Sequence, residues 1–301
     1  MASIRARIYK YVLRRTIKNN IFGNGIQALN KVRARENGAS ILTKIIVSDR
    51  PGIPLTIGNI QAEWVGNQAA QQTLLYLHGG GYVFGSINTH RSLVSRICAD
   101  AGLRGLIIDY RLAPENPFPA AIEDAEQAYD YLIETGSDPR NIVIAGDSAG
   151  GGLALALMQK LGSHKKPHPQ AAVLFSPWTD LTLSGASHHD RAERDPMINV
   201  NRIPEAIKFY CHNEDASNPL ISPLFADLSG FPPMLVQVGT EEVLFDDATR
   251  LVENAKKVKC PVELQVWQDM PHVHQLAHKF VPEARAAVRG AAMFLKNHIS
   301  T

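Results

Sequence analysis

Short apolar runs recur along the chain and alternate, from the third run onward, with amphipathic stretches. The strand-like runs lie at 41–48, 53–65, 73–79, 104–110, 141–146, 171–177, 234–239 and 262–267. The stretches with helical spacing lie at 87–101, 120–135, 148–161, 245–259 and 281–297. Runs such as "LLYL" and "IVIA" are apolar at every position, which is typical of strands buried on both faces. The pattern predicts an α/β fold with a mostly parallel sheet of about eight strands and helices on both faces.

Two segments depart from this alternation. The first two runs are separated only by a short stretch containing Pro51-Gly52, which predicts an antiparallel, hairpin-like start to the sheet. Residues 180–230 are polar and carry one clear helical pattern, near 203–212. We interpret about 180–215 as an insertion that lies over the sheet within a single domain.

The N-terminal stretch combines apolar and basic residues. Ile4, Ile8, Val12 and Ile17 recur at roughly helical spacing, with arginines and lysines between them. This spacing predicts an amphipathic helix that covers apolar surface elsewhere in the molecule. A targeting segment or a membrane contact is the alternative interpretation.

Composition narrows the class of protein. A chain of 301 residues with 45% hydrophobic and 20% charged residues can form one large domain, and a net charge of +2 gives no reason to expect a nucleic-acid partner. Cys98, Cys211 and Cys260 lie far apart, so we expect neither a zinc site nor a disulfide framework, and we predict a reducing, cytoplasmic location. No apolar run approaches the ~20 residues that span a bilayer, so no stable membrane insertion is expected.

One serine is surrounded by small residues where a strand is predicted to become a helix. Gly146-Asp147-Ser148-Ala149-Gly150 fits G-x-S-x-G, a turn that lifts the serine hydroxyl above the sheet. The glycines are needed because a Cβ atom at either position would collide with the neighbouring strand or helix. Glycine and serine are also common in ordinary turns between strands and helices, so this motif needs support from elsewhere in the chain.

A nucleophilic serine requires a base and an acid that orients it, and both are expected on loops after later strands. After the last strand, "QDMPHVHQLAH" offers His272, with His274 and His278 as alternatives; His272 is best placed because it precedes the following helix. After the seventh strand, "GTEEVLFDDA" offers four carboxylates. We favour Glu241 as the acid, two residues beyond Gly239, with Glu242 and Asp180 (in "SPWTDLT") as alternatives.

A glycine-rich loop follows the third strand. "LHGGGYVFG", residues 77–85, contains the H-G-G-G run whose backbone N–H groups stabilise an oxyanion in lipases and esterases. A phosphate-binding loop is the alternative, but neither G-x-x-x-x-G-K-[ST] nor G-x-G-x-x-G occurs there. The loop and the serine turn come from different strands and predict the same mechanism, which makes their combination far more specific than either motif.

These motifs resemble the hormone-sensitive-lipase-like group of serine carboxylesterases (bacterial family IV), which have the α/β-hydrolase fold. The resemblance runs from about 73 to 276 and rests on "HGGGYVFGS", "DYRLAPENPFPAAIEDA", "DPRNIVIAGDSAGGGLA", "SPWTDL" and "MPHVHQ". It implies that Ser148 is the nucleophile and His272 the base. It places the acid at Glu241, where most members carry aspartate, and the oxyanion hole at Gly80, Gly81 and Ala149.

The resemblance also implies an organisation. Residues 1–40 are expected to form a small helical cap with the insertion at about 180–215, over a catalytic domain at 41–301. A homodimer through the last strand, 262–267, is a further expectation. The expected substrates are carboxylic esters with short to medium acyl chains, hydrolysed through an acyl-enzyme without metal or organic cofactor.

Two other functions use the same sequence features. An amidase or arylamide deacetylase shares every motif, so substrate assays alone separate it from an esterase. A ligand receptor on the same fold would be expected to lack a triad residue, whereas Ser148, His272 and nearby acids are all present.

Overall fold

A computed structural model describes residues 2–18, 33 and 52–299 of the chain. The described strands are β1 Ile53–Ile57, β2 Ile60–Gly66, β3 Thr73–Leu77, β4 Arg104–Asp109, β5 Ile142–Asp147, β6 Ala172–Phe175, β7 Met234–Gly239 and β8 Val262–Trp267. They form one sheet in the order β1-β2-β4-β3-β5-β6-β7-β8. Strands β3 to β8 pair in parallel, while β2 pairs antiparallel with both β1 and β4. The predicted fold class is confirmed.

The second predicted run forms two antiparallel strands instead of one. The hairpin lies inside the second predicted run, because 53–65 divides into β1 and β2 at Gly58, whose φ of 58° suits a tight turn. The predicted strand at 41–48 lies outside the described residues. Strand β1 is mostly exposed, with only Ile57 buried, which shows why the division was missed: an edge hairpin carries a weaker apolar pattern than a central strand.

Helices cover both faces of the sheet. The described helices are α1 Ile4–Thr16, α2 Ile87–Ala101, α3 Ala120–Glu134, α4 Ala149–Ser163, α5 Ser187–Asp190, α6 Ile203–Cys211, α7 Phe245–Lys257 and α8 Pro282–His298. Helices α2 and α8 pack on one face, and α3, α4 and α7 pack on the other. The central strands β3 and β5 are buried at every position, as their continuous apolar sequences predict. None of the described helices is long and apolar enough to cross a membrane.

The predicted insertion carries α5 and α6 between β6 and β7. Asp180, at its start, is buried and accepts hydrogen bonds from the backbone and hydroxyl groups of Thr182 and Ser184 and from the guanidinium of Arg250. These contacts hold a turn, and among the described residues His272 is not one of the hydrogen-bond partners of Asp180.

The N-terminal helix forms where it was predicted, but its packing face was predicted incorrectly. Ala6 and Leu13 are its buried residues, whereas Ile4, Ile8 and Val12 are exposed. The polar side chains of α1 reach neighbouring loops and so fix this orientation, which apolar spacing alone did not reveal.

Candidate active site

Ser148 stands between β5 and α4, on the sharp turn predicted from its glycines. Its φ of 52° and ψ of −123° are strained for a residue with a side chain, and its backbone N–H donates to Phe175 O at 2.9 Å. A Cβ at Gly146 would overlap the backbone of Gly150, and one at Gly150 would overlap the carbonyl of Leu77. The turn therefore requires both glycines.

The imidazole of His272 lies between the serine and a carboxylate. The Ser148 hydroxyl and His272 Nε2 are 3.0 Å apart, and His272 Nδ1 is 2.7 Å from Glu242 Oε2. Both His272 and Glu242 are buried. These distances suit proton transfer from the serine and orientation of the ring by the acid.

The carboxylate is Glu242, and the prediction of Glu241 is wrong. Glu242 Oε1 accepts hydrogen bonds from Ser176 Oγ at 2.8 Å and from the backbone N–H of Gly239 at 2.6 Å, which aims Oε2 at the ring. Glu241 is partly exposed and lies 3.8 Å from Lys10 Nζ of α1. Neighbouring residues on this turn point in different directions, so counting residues from the strand end could not separate them.

The other candidate histidines lie outside this arrangement. Burial lowers the pKa of His274 to about 3 and that of His278 to about 4. His278 Nε2 lies 3.2 Å from the hydroxyl of Ser92, a residue of helix α2. Both rings are therefore neutral parts of the packed interior.

The surroundings of His272 stabilise its protonated form. Burial on its own would lower the pKa of His272, but the hydrogen bond and the negative charge of Glu242 outweigh it, and the pKa is raised above 6.5. Asp195 adds to the negative potential at the ring. The site thus stabilises the imidazolium that forms when the ring takes the serine proton.

The loop after β3 has the backbone conformation needed to present N–H groups. Gly80 and Gly81 have φ values of 129° and 60°. No acceptor among the described residues takes the backbone N–H groups of Gly80, Gly81 or Ala149. These three N–H groups are free to donate near the half-buried Ser148, which is what the predicted oxyanion hole requires.

Asp147 connects this loop to the serine turn. It is buried, and its carboxylate accepts hydrogen bonds from Tyr76 Oη at 2.8 Å and from the backbone N–H of Gly79 at 3.0 Å. His90 Nε2 lies 3.2 Å from the same carboxylate. The residue next to the serine therefore fixes the start of the glycine-rich loop.

Asp195 was missed by the sequence analysis. This buried residue of the insertion accepts hydrogen bonds from its own turn, at Met197 and Ile198, and from the backbone N–H of Val243 at 3.0 Å. Val243 follows Glu242 directly. Asp195 therefore ties the insertion to the loop that carries the acid; the D-P pair at 195–196 signalled a turn but not this partner.

Arg33 was missed as well. Its guanidinium donates to Val83 O at 2.8 Å, to Ala113 O at 2.6 Å and to Glu115 Oε1 at 2.8 Å. Val83 belongs to the glycine-rich loop, so Arg33 holds this loop from outside. No motif surrounds Arg33, and its partners are mostly backbone carbonyls that a sequence does not specify.

We expect Arg33→Ala to lower kcat/KM for p-nitrophenyl acetate by about tenfold, because the loop loses one charge-assisted hydrogen bond that fixes its position. Arg33→Lys should recover only part of the loss, since an ammonium cannot serve three divergent acceptors in one plane. Thermal unfolding of both variants separates a local effect from a global one. A kcat/KM within twofold of wild type in Arg33→Ala would remove Arg33 from the positioning of the loop.

Comparison with known proteins identifies the family of the chain. Residues 74–276 match a family described as "alpha/beta hydrolase fold". The chain is 45% identical over 249 residues to an acetyl-hydrolase of Streptomyces hygroscopicus, covering 82% of this chain and 83% of that protein. It is 35% identical to an esterase of Acinetobacter venetianus, covering 80% of each chain.

Solved structures give the same result over the whole chain. The crystal structure of EstE5 soaked with p-nitrophenyl butyrate superposes with a TM-score of 0.91 at 38% identity, covering 100% of both chains. An esterase from the bacterial hormone-sensitive lipase family superposes with a TM-score of 0.92 at 38% identity and the same coverage. The chain therefore belongs to the alpha/beta-hydrolase family, in its bacterial hormone-sensitive-lipase group, and is a serine carboxylesterase.

Proposed function

We propose that Ser148, His272 and Glu242 form the catalytic triad of this esterase. The observation that carries the proposal is the continuous set of short contacts from the Ser148 hydroxyl to His272 Nε2 at 3.0 Å and from His272 Nδ1 to Glu242 Oε2 at 2.7 Å. Ser148 Oγ attacks the ester carbonyl while His272 Nε2 takes its proton. Glu242 accepts a hydrogen bond from the Nδ1–H group of His272. This hydrogen bond fixes the tautomer of the ring and stabilises the imidazolium.

The remaining steps follow from the same groups. The N–H groups of Gly80, Gly81 and Ala149 stabilise the oxyanion of the tetrahedral intermediate, each such donor being worth roughly 10²–10³ in rate. Imidazolium then protonates the departing alkoxide, which leaves as the alcohol. Water enters, loses a proton to His272 and cleaves the acyl-enzyme, releasing the acid and restoring Ser148. The complete triad gives no support to the receptor alternative.

The pH profile tests the base. Catalysis needs neutral imidazole, so kcat/KM should rise with pH through the pKa of His272, and this inflection should lie above 6.5 because Glu242 raises the pKa. The rate should be followed at a wavelength where p-nitrophenol and its anion absorb equally. An inflection below 6.5, or a flat profile from pH 5 to 8, would contradict the assignment.

We propose acyl chains from acetyl to butyryl as the preferred substrates. Two comparisons support this range: the acetyl-hydrolase relative and the neighbouring structure soaked with a butyrate ester. A series of p-nitrophenyl esters from acetate to palmitate tests it. We expect kcat/KM to peak at or below butyrate, and a maximum at octanoate or longer would reverse the proposal.

Three further features of the molecule are proposed. Helix α1 and residues 180–215 form a cap. Hydrogen bonds from the side chains of Arg14 and Lys18 to backbone carbonyls at 192–194 support this.

The chain forms a homodimer through the edge strand β8, on which Val266 is exposed. Val266→Lys should then give monomers in analytical sedimentation.

The protein is located in the cytoplasm. The three cysteines are free and buried, which supports this location.

A further inference from the structure

The outward face of α1 is apolar. Ile4, Ile8, Tyr11 and Val12 are 74%, 58%, 61% and 36% exposed. Positions i, i+4, i+7 and i+8 lie along one stripe of a helix. A surface helix ordinarily turns such a stripe inward, and α1 turns it toward solvent.

Contacts on the opposite side hold α1 in this orientation. Ala6 and Leu13 are buried, and Ser3 donates through its backbone and its hydroxyl to the carboxylate of Glu283 at 2.6 and 2.8 Å. Lys10 pairs with Glu241 at 3.8 Å. The helix is therefore attached to the catalytic domain along its length, and the apolar stripe is the face that remains.

The same segment is strongly basic. Residues 2–18 contain six of the 31 basic residues of the chain and none of its 29 acidic residues, so the rest of the chain has 25 basic against 29 acidic residues. Arg5, Arg7 and Arg15 are exposed on α1, and none of them forms an ion pair with a residue that the structure describes. The guanidinium of Arg15 lies over the Tyr11 ring, 5.4 Å from its centroid.

We infer that the outward face of α1 binds the surface of an anionic lipid bilayer. The apolar side chains enter the boundary between headgroups and acyl chains, and the arginines contact lipid phosphates, which is how basic amphipathic helices lie on membranes. At 1.5 Å per residue, the 13 residues of α1 extend about 20 Å in the plane of the membrane. This inference does not depend on the catalytic assignments.

The chemistry of the stripe favours lipid over a second copy of this chain. A symmetric contact between two such faces would bring the unpaired arginines of both copies together, and like charges repel. An anionic bilayer satisfies the apolar and the basic groups at once, and its contribution from charge falls with salt.

Vesicle sedimentation tests the inference with the full chain. The probes are vesicles of phosphatidylcholine alone and vesicles with about one third phosphatidylglycerol, at low and high NaCl. We expect wild-type protein to sediment with the anionic vesicles at low salt and to remain in solution with the neutral ones. Ile4→Ser/Ile8→Ser should reduce the partition coefficient about tenfold or more, because the bound helix loses two apolar side chains that enter the bilayer. Arg5→Gln/Arg7→Gln should produce a similar loss and a weaker salt dependence.

Met293→Ser is the matched control, because Met293 is 65% exposed on α8 and lies outside the stripe; its binding should equal that of wild type. Hydrolysis of a soluble acetate ester confirms that each variant is folded. The inference is overturned if wild type stays in solution with anionic vesicles, or if both double variants bind as wild type does. It is also overturned if Ile4→Ser/Ile8→Ser instead dissolves a dimer or lowers the melting temperature by many degrees, since the stripe then contacts protein.

Discussion

Ser148→Ala is expected to reduce kcat for p-nitrophenyl butyrate by about 10⁵–10⁶-fold, since removal of the nucleophile in serine hydrolases leaves only binding and oxyanion stabilisation. The presteady-state burst of p-nitrophenol should vanish with it, because no acyl-enzyme can form. The fold should be retained, as the strained turn keeps Gly146 and Gly150 and the hydroxyl has His272 as its partner.

Ser163→Ala is the control for this variant. Ser163 is exposed at the end of α4, where its hydroxyl caps the carbonyl of Lys160, and its loss should change kcat by less than twofold. Turnover by Ser148→Ala above about one hundredth of the wild-type rate would show that another group attacks the ester.

Glu242→Gln is expected to lower kcat by about 10⁴-fold, the scale seen when a triad acid becomes an amide. Glu242 accepts on both sides: from Ser176 and Gly239 at Oε1, and from His272 at Oε2. A glutamine can place its oxygen on only one of these sides. If the NH₂ group faces His272, the ring takes the wrong tautomer; if it faces Gly239, two donors oppose each other.

Glu241→Gln is the matched variant, one position away with the same chemical change. It should alter kcat by less than threefold, because Glu241 contacts Lys10 at 3.8 Å on the partly exposed side of the loop. The opposite ranking of the two variants, with Glu241→Gln the more damaging, would return the acid to position 241.

The residues that sequence patterns identified share a property: local geometry demands them. Gly146 and Gly150 leave room for the serine turn, and Gly80 and Gly81 adopt backbone angles that other residues avoid. The buried parallel strands are likewise recognised by their continuous apolar runs. Each of these features depends on a few residues that are adjacent in the sequence, so a single sequence was sufficient to predict it.

The missed features depend on distant partners. Whether Glu241 or Glu242 meets His272 is decided by Ser176 and the N–H of Gly239, which select one side of the turn. The orientation of α1 depends on Glu283, some 280 residues away in sequence. Arg33 acts through carbonyl groups that every residue possesses. Contacts of this kind appear only once the chain is folded.

The hydrogen bond that the backbone N–H of Val243 donates to the Asp195 carboxylate has a consequence for protein engineering. Grafting the insertion of a relative onto this scaffold is a direct test of whether the proposed cap sets acyl preference, since Ser148, Glu242 and His272 lie outside residues 180–215. A chimaera whose junction removes Asp195 would also release the backbone beside Glu242 and lose rate for a reason unrelated to the new pocket. Junctions placed after residue 198 keep this anchor, so libraries built from them report substrate selectivity rather than damage to the acid loop.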